Sequence, residues 1–333
     1  MWKSDGTEAG TEMVIDIRSG ATNSNPSAFT NANGLLYFTV DNGVHGNELW
    51  KSDGTAAGTV IVKDIYAGNI GSAPRYLTYA NGLLFFAANN GTNGMELWKS
   101  DGTEAGTVMV KDIYTGSNSF NLLEIIEVNG VLFFNANDGS SGDELWKSDG
   151  TAAGTVRVKD IQNGINGSGP RYLTNVAGVL YFSAADGNSG TELWKSDGTA
   201  AGTVMVKDID QGIGAGNPQW LTDVNGLLYF AADNELGNSE LWMSNGTEAG
   251  TVMVKDIRPG ATGSYPEQLH NLNGMLFFVA HNGTNGVELW KSDSTAAGTV
   301  MVKDIEPGVS SSNPGWFTEM NGLLYFTAYE NAN

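Results

Sequence analysis

The apolar positions of this chain fall into short runs that return at a fixed interval. In residues 74–113 the runs are RYLTYA, LLFFAA, ELWKS and TVMVKDI, separated by Asn81-Gly82, by NNGTNG and by DGTEAGT. Asn-Gly between two apolar runs predicts a two-residue type I′ hairpin. The stretches rich in Gly, Asp and Thr supply positive φ and side-chain-to-backbone bonds, so they predict turns. No segment shows a helical period, and the turn signals lie too close together for helices. Four strands per unit are expected, at 75–80, 83–88, 96–100 and 107–113. LLFFAA is continuously apolar, so both faces of its sheet should be buried.

The interval is 48 residues. Trp2, Trp50, Trp98, Trp146, Trp194, Trp242 and Trp290 keep that step, as do Asp16, Asp64, Asp112, Asp160, Asp208, Asp256 and Asp304. The chain, at 333 residues, is three short of seven full periods. Seven equal units of four short antiparallel strands predict an all-β fold, a seven-bladed β-propeller forming one domain over 1–333. A parallel β-helix would need shorter coils, and a sandwich would not show equal units. Each Trp is a candidate blade anchor, since truncating a buried Trp to Ala costs about 3–5 kcal/mol. Residues 1–17 carry the third and fourth strands of a unit, and NPGWFTEMNGLLYFTA (313–328) carries the first and second. The last blade is therefore expected to be built from 1–17 and 314–329. N-terminal strands 3–4 would pair with C-terminal strands 1–2 and remove the free sheet edges. A start inside a unit also reads as seven repeats taken from a longer array.

The phrase ELWKSDGTxAGT resembles the signature of the bacterial ELWxxDGT-repeat family, and Trp on the third strand resembles WD-type blades. The resemblance covers essentially the whole chain. It implies large secreted or cell-surface bacterial proteins and says little about activity. Met243 stands in place of Lys, Asn245 of the turn Asp and Ser294 of the turn Gly, while SFNLLEII (119–126) lacks the usual Pro. Such scattered departures read as drift after duplication.

Composition narrows the function classes. Lys plus Arg number 17 against 37 acids, a net charge of −20. That sign argues against nucleic acid and anionic membranes as partners. There is no cysteine, which excludes disulfides and thiol chemistry. No apolar run approaches a membrane span, so membrane insertion is not expected, and no signal peptide is visible at the start. A monomer is expected, with strand exchange between near-identical blades as the route to an oligomer.

Repetition gives most constant residues a structural reading. Asp5, Asp53, Asp101, Asp149, Asp197 and Asp293 head the turn between strands three and four and are expected to cap its N–H groups, resembling the Asp-box hairpins of other propellers. Metal ligation is the competing reading. Glu48, Glu96, Glu144, Glu192, Glu240 and Glu288 could pair with Lys63 and its equivalents across strands. A ring of these carboxylates could instead hold Ca²⁺, the one cofactor the acids suggest. The loops DNGVHGNE (41–48) and NDGSSGDE (137–144) share the Asp/Asn/Gly flavour of calcium loops but not the full motif.

Function is expected where the copies differ. The strand 2–3 loop and the blade-to-blade connector both vary, and in a propeller they share one face. The position before the first-strand Leu or Phe reads Ala28, Tyr76, Glu124, Tyr172, Trp220, Gln268 and Trp316. Tyr76, Tyr172, Trp220 and Trp316, with Arg75 and Arg171, are the candidate ligand-binding residues, suited to stacking on sugar rings or anchoring a protein. Filling space beneath the loops is the structural alternative. The histidines His45, His270 and His281 carry no nucleophile motif around them. No blade has a distinctive acid–base pair, so no catalytic residue is assigned and the chain is read as a nonenzyme. The expected function is a recognition or scaffold module for a glycan or protein; a purely structural spacer and a glycan-active hydrolase or lyase are the alternatives.

Overall fold

The computed structural model describes residues 1–20, 22–120, 122–260 and 262–331. They contain strands and turns and no helix. The chain divides into two compact units.

The first unit is Met1–Arg157 with Gly164–Asn166. It opens with β1 (Trp2–Lys3) and β2 (Glu12–Met13), a two-stranded sheet. Three four-stranded antiparallel sheets follow in chain order. Blade 1 is β3 (Ser27–Ala32), β4 (Leu35–Asp41), β5 (Asn47–Ser52) and β6 (Val60–Lys63). Blade 2 is β7 (Arg75–Ala80), β8 (Leu83–Asn89), β9 (Met95–Ser100) and β10 (Val108–Lys111). Blade 3 is β11 (Ile125–Val128), β12 (Val131–Asn137), β13 (Asp143–Ser148) and β14 (Val156–Arg157).

The second unit is Val158–Asn163 with Gly167–Asn333. Blade 4 is β15 (Arg171–Val176), β16 (Val179–Ala185), β17 (Thr191–Ser196) and β18 (Val204–Lys207). Blade 5 is β19 (Gln219–Val224), β20 (Leu227–Asp233), β21 (Ser239–Ser244) and β22 (Val252–Lys255). Blade 6 is β23 (Glu267–Leu272), β24 (Met275–His281), β25 (Val287–Ser292) and β26 (Val300–Lys303). β27 (Gly315–Met320) and β28 (Leu323–Thr327) form a two-stranded sheet. The fold is that of β-propeller blades, seven units counted in strands.

Within each unit, neighbouring blades bury their faces on one another. Tyr37, Leu49 and Val62 of blade 1 pack against Leu84, Phe86 and Trp98 of blade 2. Tyr229, Leu241 and Val254 of blade 5 meet Leu276, Phe278 and Trp290 of blade 6 in the same way. This is why the second strand runs apolar residues in succession: Phe85 and Phe86 point to opposite faces, and both faces are core.

One expectation is corrected. The fourth strand ends at the Lys, or in blade 3 at Arg157, rather than at the following Ile, because the chain there turns away to be held by a buried Glu described below. Each within its own unit, β1 pairs with β2 and β28 with β27. β1 and β2 are two residues each, where β5 has six and β6 four. Trp2 is 67% exposed, while Trp50 is 8% and Trp98 6% exposed.

Candidate recognition site

Register sorts the residues of a blade onto two ends. In blade 1, Ala32 pairs with Leu35 at the Asn33-Gly34 hairpin, and Lys51 pairs with Val60 beside the Asp53 turn. At the other end Ser27 pairs with Thr39, Asp41 with Asn47 and Leu49 with Lys63. The variable strand 2–3 loop, the connector and the start of the first strand therefore share one end.

The constant end is a hydrogen-bonded scaffold. Asp53 Oδ1 accepts from Thr55 N at 2.9 Å and from Thr55 Oγ1 at 2.7 Å, and Thr55 Oγ1 accepts from Gly58 N at 3.0 Å. The same turn recurs at Asp5, Asp101, Asp149, Asp197 and Asp293. Asn245 repeats it through its amide oxygen, so losing the charge does not lose the cap. The Thr55 hydroxyl and amide hold the Asp53 carboxyl below its usual range. Lysines then stitch each blade to the next turn. Lys51 Nζ donates to Gly102 O and Lys99 Nζ to Gly150 O, both at 2.8 Å. Lys63 Nζ donates to Thr107 O at 2.8 Å, which replaces the expected pairing with Glu48.

Glu48 and its repeats are buried and work as pins at the base of the variable connectors. Glu48 Oε1 accepts from Tyr66 N at 3.0 Å and from Ser72 N at 2.8 Å, and Ser72 Oγ donates to Oε2. Glu240 holds Ile257, Arg258 and Ser264 in the same way, and Glu288 holds Ile305 and Ser312. One carboxylate thus closes both ends of a loop whose interior varies freely. In blade 2 the serine position is Phe120, and among the described residues Glu96 accepts from Ile113 N at 2.8 Å and Tyr114 N at 3.2 Å. In blade 4 it is Gly216, whose N–H alone reaches Glu192, at 2.6 Å. Burial, unopposed by a serine hydroxyl, pushes Glu96 up to about 8 and Glu192 to about 7. Burial also raises Glu48 and Glu240.

The calcium expectation meets the same fact, since these carboxylate oxygens already accept N–H donors. Among the described residues no three His, Cys, Asp or Glu side chains gather as metal ligands. The loop at 137–144 caps itself: Asp138 Oδ1 accepts from Ser140 N at 2.9 Å and Ser141 N at 3.0 Å. Despite partial burial, these serine donors hold Asp138 at about 2.

At the variable end, the six first-strand positions outside blade 3 are all non-glycine residues, yet all six leave the ordinary β region. Ala28, Tyr76, Tyr172, Trp220, Gln268 and Trp316 have φ between 53° and 60°. Each sits in a register shift of its first strand, as between Gln219 and Thr222. An unpaired bulge residue is re-aimed out of the ladder. Left-handed backbone at a bulky residue is strained, and such strain gathers at functional positions. Threonine two residues on braces the bulge: Thr222 Oγ1 donates to Trp220 O and Thr174 Oγ1 to Tyr172 O, both at 2.9 Å.

The structure divides the candidate ligand residues into groups. Trp220 and Trp316 line one cavity of about 560 Å³ with Gln268, His270 and Phe317. Trp220 is 40% and Trp316 85% exposed, so both indoles are open to a ligand. Arg75 and Tyr76 line a second cavity, of about 320 Å³, with Phe120 and Leu122. Arg171 is exposed and Tyr172 half-buried on β15. Glu124 precedes β11, in a segment whose Asn121 lies outside the described residues, and carries no bulge of this kind.

Sequence reasoning missed His270 and Phe317. His270 occupies the bracing threonine's position, and its ring meets Phe317 edge-on at 6.1 Å between centroids. The signal was the break in the Thr repeat at 30, 78, 174, 222 and 318. The other histidines serve loop geometry: His45 Nδ1 is 2.9 Å from Asn42 Nδ2, and His281 Nδ1 accepts from Gly283 N at 2.7 Å.

A solved structure shares the fold. Oligopeptidase B from Leishmania major is 12% identical over 97% of this chain and 48% of its own, with a TM-score of 0.51. Puromycin hydrolase is 16% identical over 92% of this chain and 50% of its own, with a TM-score of 0.45. The chain spans about half the length of these proteins. No family model matches the sequence, and no curated protein matches it.

Proposed function

We propose that the chain is a noncatalytic recognition module that binds a glycan at the Trp220–Gln268–Trp316 cavity. The observation that carries this reading is the pair of open indoles on strained, bulged backbone around a half-buried amide. Indole faces stack on the apolar face of a pyranose, and the Gln268 amide and His270 imidazole supply directional hydrogen bonds to its hydroxyls. The constant end of each blade supports the reading by leaving the variable end as the part free to diversify. The resemblance of the repeat to the ELWxxDGT family supports reading the parent protein as secreted or at a bacterial surface, where glycans are met. Glycan-array binding tests the proposal, and a protein pull-down tests the competing occupant of the same indoles. Silence in both favours a structural spacer.

A further inference from the structure

Arg75 and Tyr76 open β7, and the cavity they line carries a cation. It is about 320 Å³ and is closed by Met95, Ser119, Phe120 and Leu122, all within the first unit. The chain has 37 acids against 17 basic side chains, yet no acid among the described residues lines this cavity. Other cations of the unit are already committed. Lys51, Lys63 and Lys99 donate to turn carbonyls, and Arg18 pairs with Asp41. The exposed Arg75 guanidinium has neither an acid nor a carbonyl partner among the described residues. Its planar fork of N–H donors is left for something outside the chain.

The walls of the cavity are fixed on both sides. Tyr76 is the bulge residue of β7, with φ of 56°, and Thr78 Oγ1 donates to its carbonyl at 3.1 Å. Across the opening, Met95 N donates to Ser119 Oγ at 2.9 Å and Phe120 N donates to Met95 O at 3.2 Å, so the end of the connector is tied to β9. Ser119 is exposed, and its own proton has no acceptor among the described residues. Phe120 takes the position at which Ser72, Ser264 and Ser312 are held by glutamate. A pinned serine is thus replaced by a buried ring in the cavity floor, with buried Leu122 beside it.

We propose that this cavity binds a carboxylate carried on a single six-membered ring. Arg75 takes the carboxylate through its fork, the Ser119 hydroxyl donates to the same group, and one guanidinium matches one negative charge. A dianion such as phosphate would bring a second charge that a chain of net charge −20 leaves unmatched here. The ligand ring stacks on Tyr76 above the apolar floor. The volume selects one ring, because it stands at the low end of small-ligand pockets, about 300–1,000 Å³. A hexuronic acid and an aromatic acid both carry this chemistry. The site lies outside the Trp220 cavity and does not rest on the glycan reading of it.

NMR titration of the full chain with glucuronate, benzoate, methyl glucoside, acetate and inorganic phosphate tests the proposal. At least one ring acid should shift the Tyr76, Ser119 and Leu122 amides saturably, with a Kd of about 1 mM, ordinary for so few atoms. Methyl glucoside should not. Glucuronate alone would name an acidic sugar as the source and benzoate alone an aromatic acid; either upholds the site. Arg75→Gln should weaken the response at least tenfold, and Arg75→Lys by less, since Lys keeps the charge and loses the fork. Tyr76→Ala should weaken the ring acids and leave acetate as it was. Lys303→Gln removes the same charge from an exposed place on β26 and should leave the affinity unchanged. Acetate or phosphate binding as tightly as the ring acids overturns the proposal, since charge alone would then explain it. So does a response that survives Arg75→Gln, or no response of these amides to either ring acid.

Discussion

Met243 stands 51 residues before Ser294, the separation that Lys51 keeps from Gly102. Two departures from the repeat thus fall on one contact. Met243 lacks the ammonium that would donate to the turn carbonyl, and Ser294 places a hydroxyl against Tyr229 Oη, where the repeat has glycine. Ser294 holds φ of 79°, a left-handed value that glycine adopts freely. Restoring both repeat residues, Met243→Lys with Ser294→Gly, should raise stability by about 1 kcal/mol. Ser294→Gly alone gains backbone ease but loses the hydroxyl bond, so it should change little. Thermal melts of the single and double variants check this, and a double variant no more stable than the parent would contradict it.

The Glu pins predict a local effect. Glu240→Ala leaves the Ile257, Arg258 and Ser264 amides without their acceptor in a buried place, at a cost of about 1–3 kcal/mol for each group left unsatisfied. Amide hydrogen exchange should rise at those residues first, with the β20–β21 ladder protected until global unfolding.

The pH dependence follows from the two connectors without serine. Glu96 and Glu192 titrate well above the usual carboxyl value of 4.5 in the folded chain, so folding favours their neutral forms. Their contribution is full below the unfolded value and is lost as pH rises through about 7 and about 8. Tm should fall across that window, and Glu96→Gln with Glu192→Gln should flatten the fall. The turn aspartates have the opposite sign: Asp53 and Asp101 are held low, so their contribution is lost only in acid.

Bulge strain predicts a gain from glycine. Tyr76 holds φ of 56°, and Tyr76→Gly should relieve backbone strain of about 1 kcal/mol while removing the ring from its cavity. Tm that holds or rises, measured alongside any ligand response, would mark the ring as placed for binding. A large loss of stability would mark it as packing.

The blades were legible because their signals are local. Asn81-Gly82, the apolar run after it and the Trp98 step each specify geometry within a few residues. The scaffold between blades was not, because its partners lie 24, 44 or 51 residues apart and one of them is a backbone group, as in Lys51 to Gly102 O. Glu48 read as a cross-strand partner of Lys63 or a calcium ligand; only its burial shows a pin. Tyr76 and Trp220 stood out by position, but the bulge that presents them has no sequence marker beyond the threonine two residues on.

The central claim is that the indoles of Trp220 and Trp316 bind while the constant ends of the blades hold the fold. Calorimetric titration of the best glycan from an array into the parent chain and into Trp220→Ala/Trp316→Ala, with a melt of each, tests it most directly. The account predicts that the variant loses binding at least tenfold, about 1.4 kcal/mol, with its Tm unchanged. Undiminished affinity in the variant, or a collapse of its Tm, would contradict it.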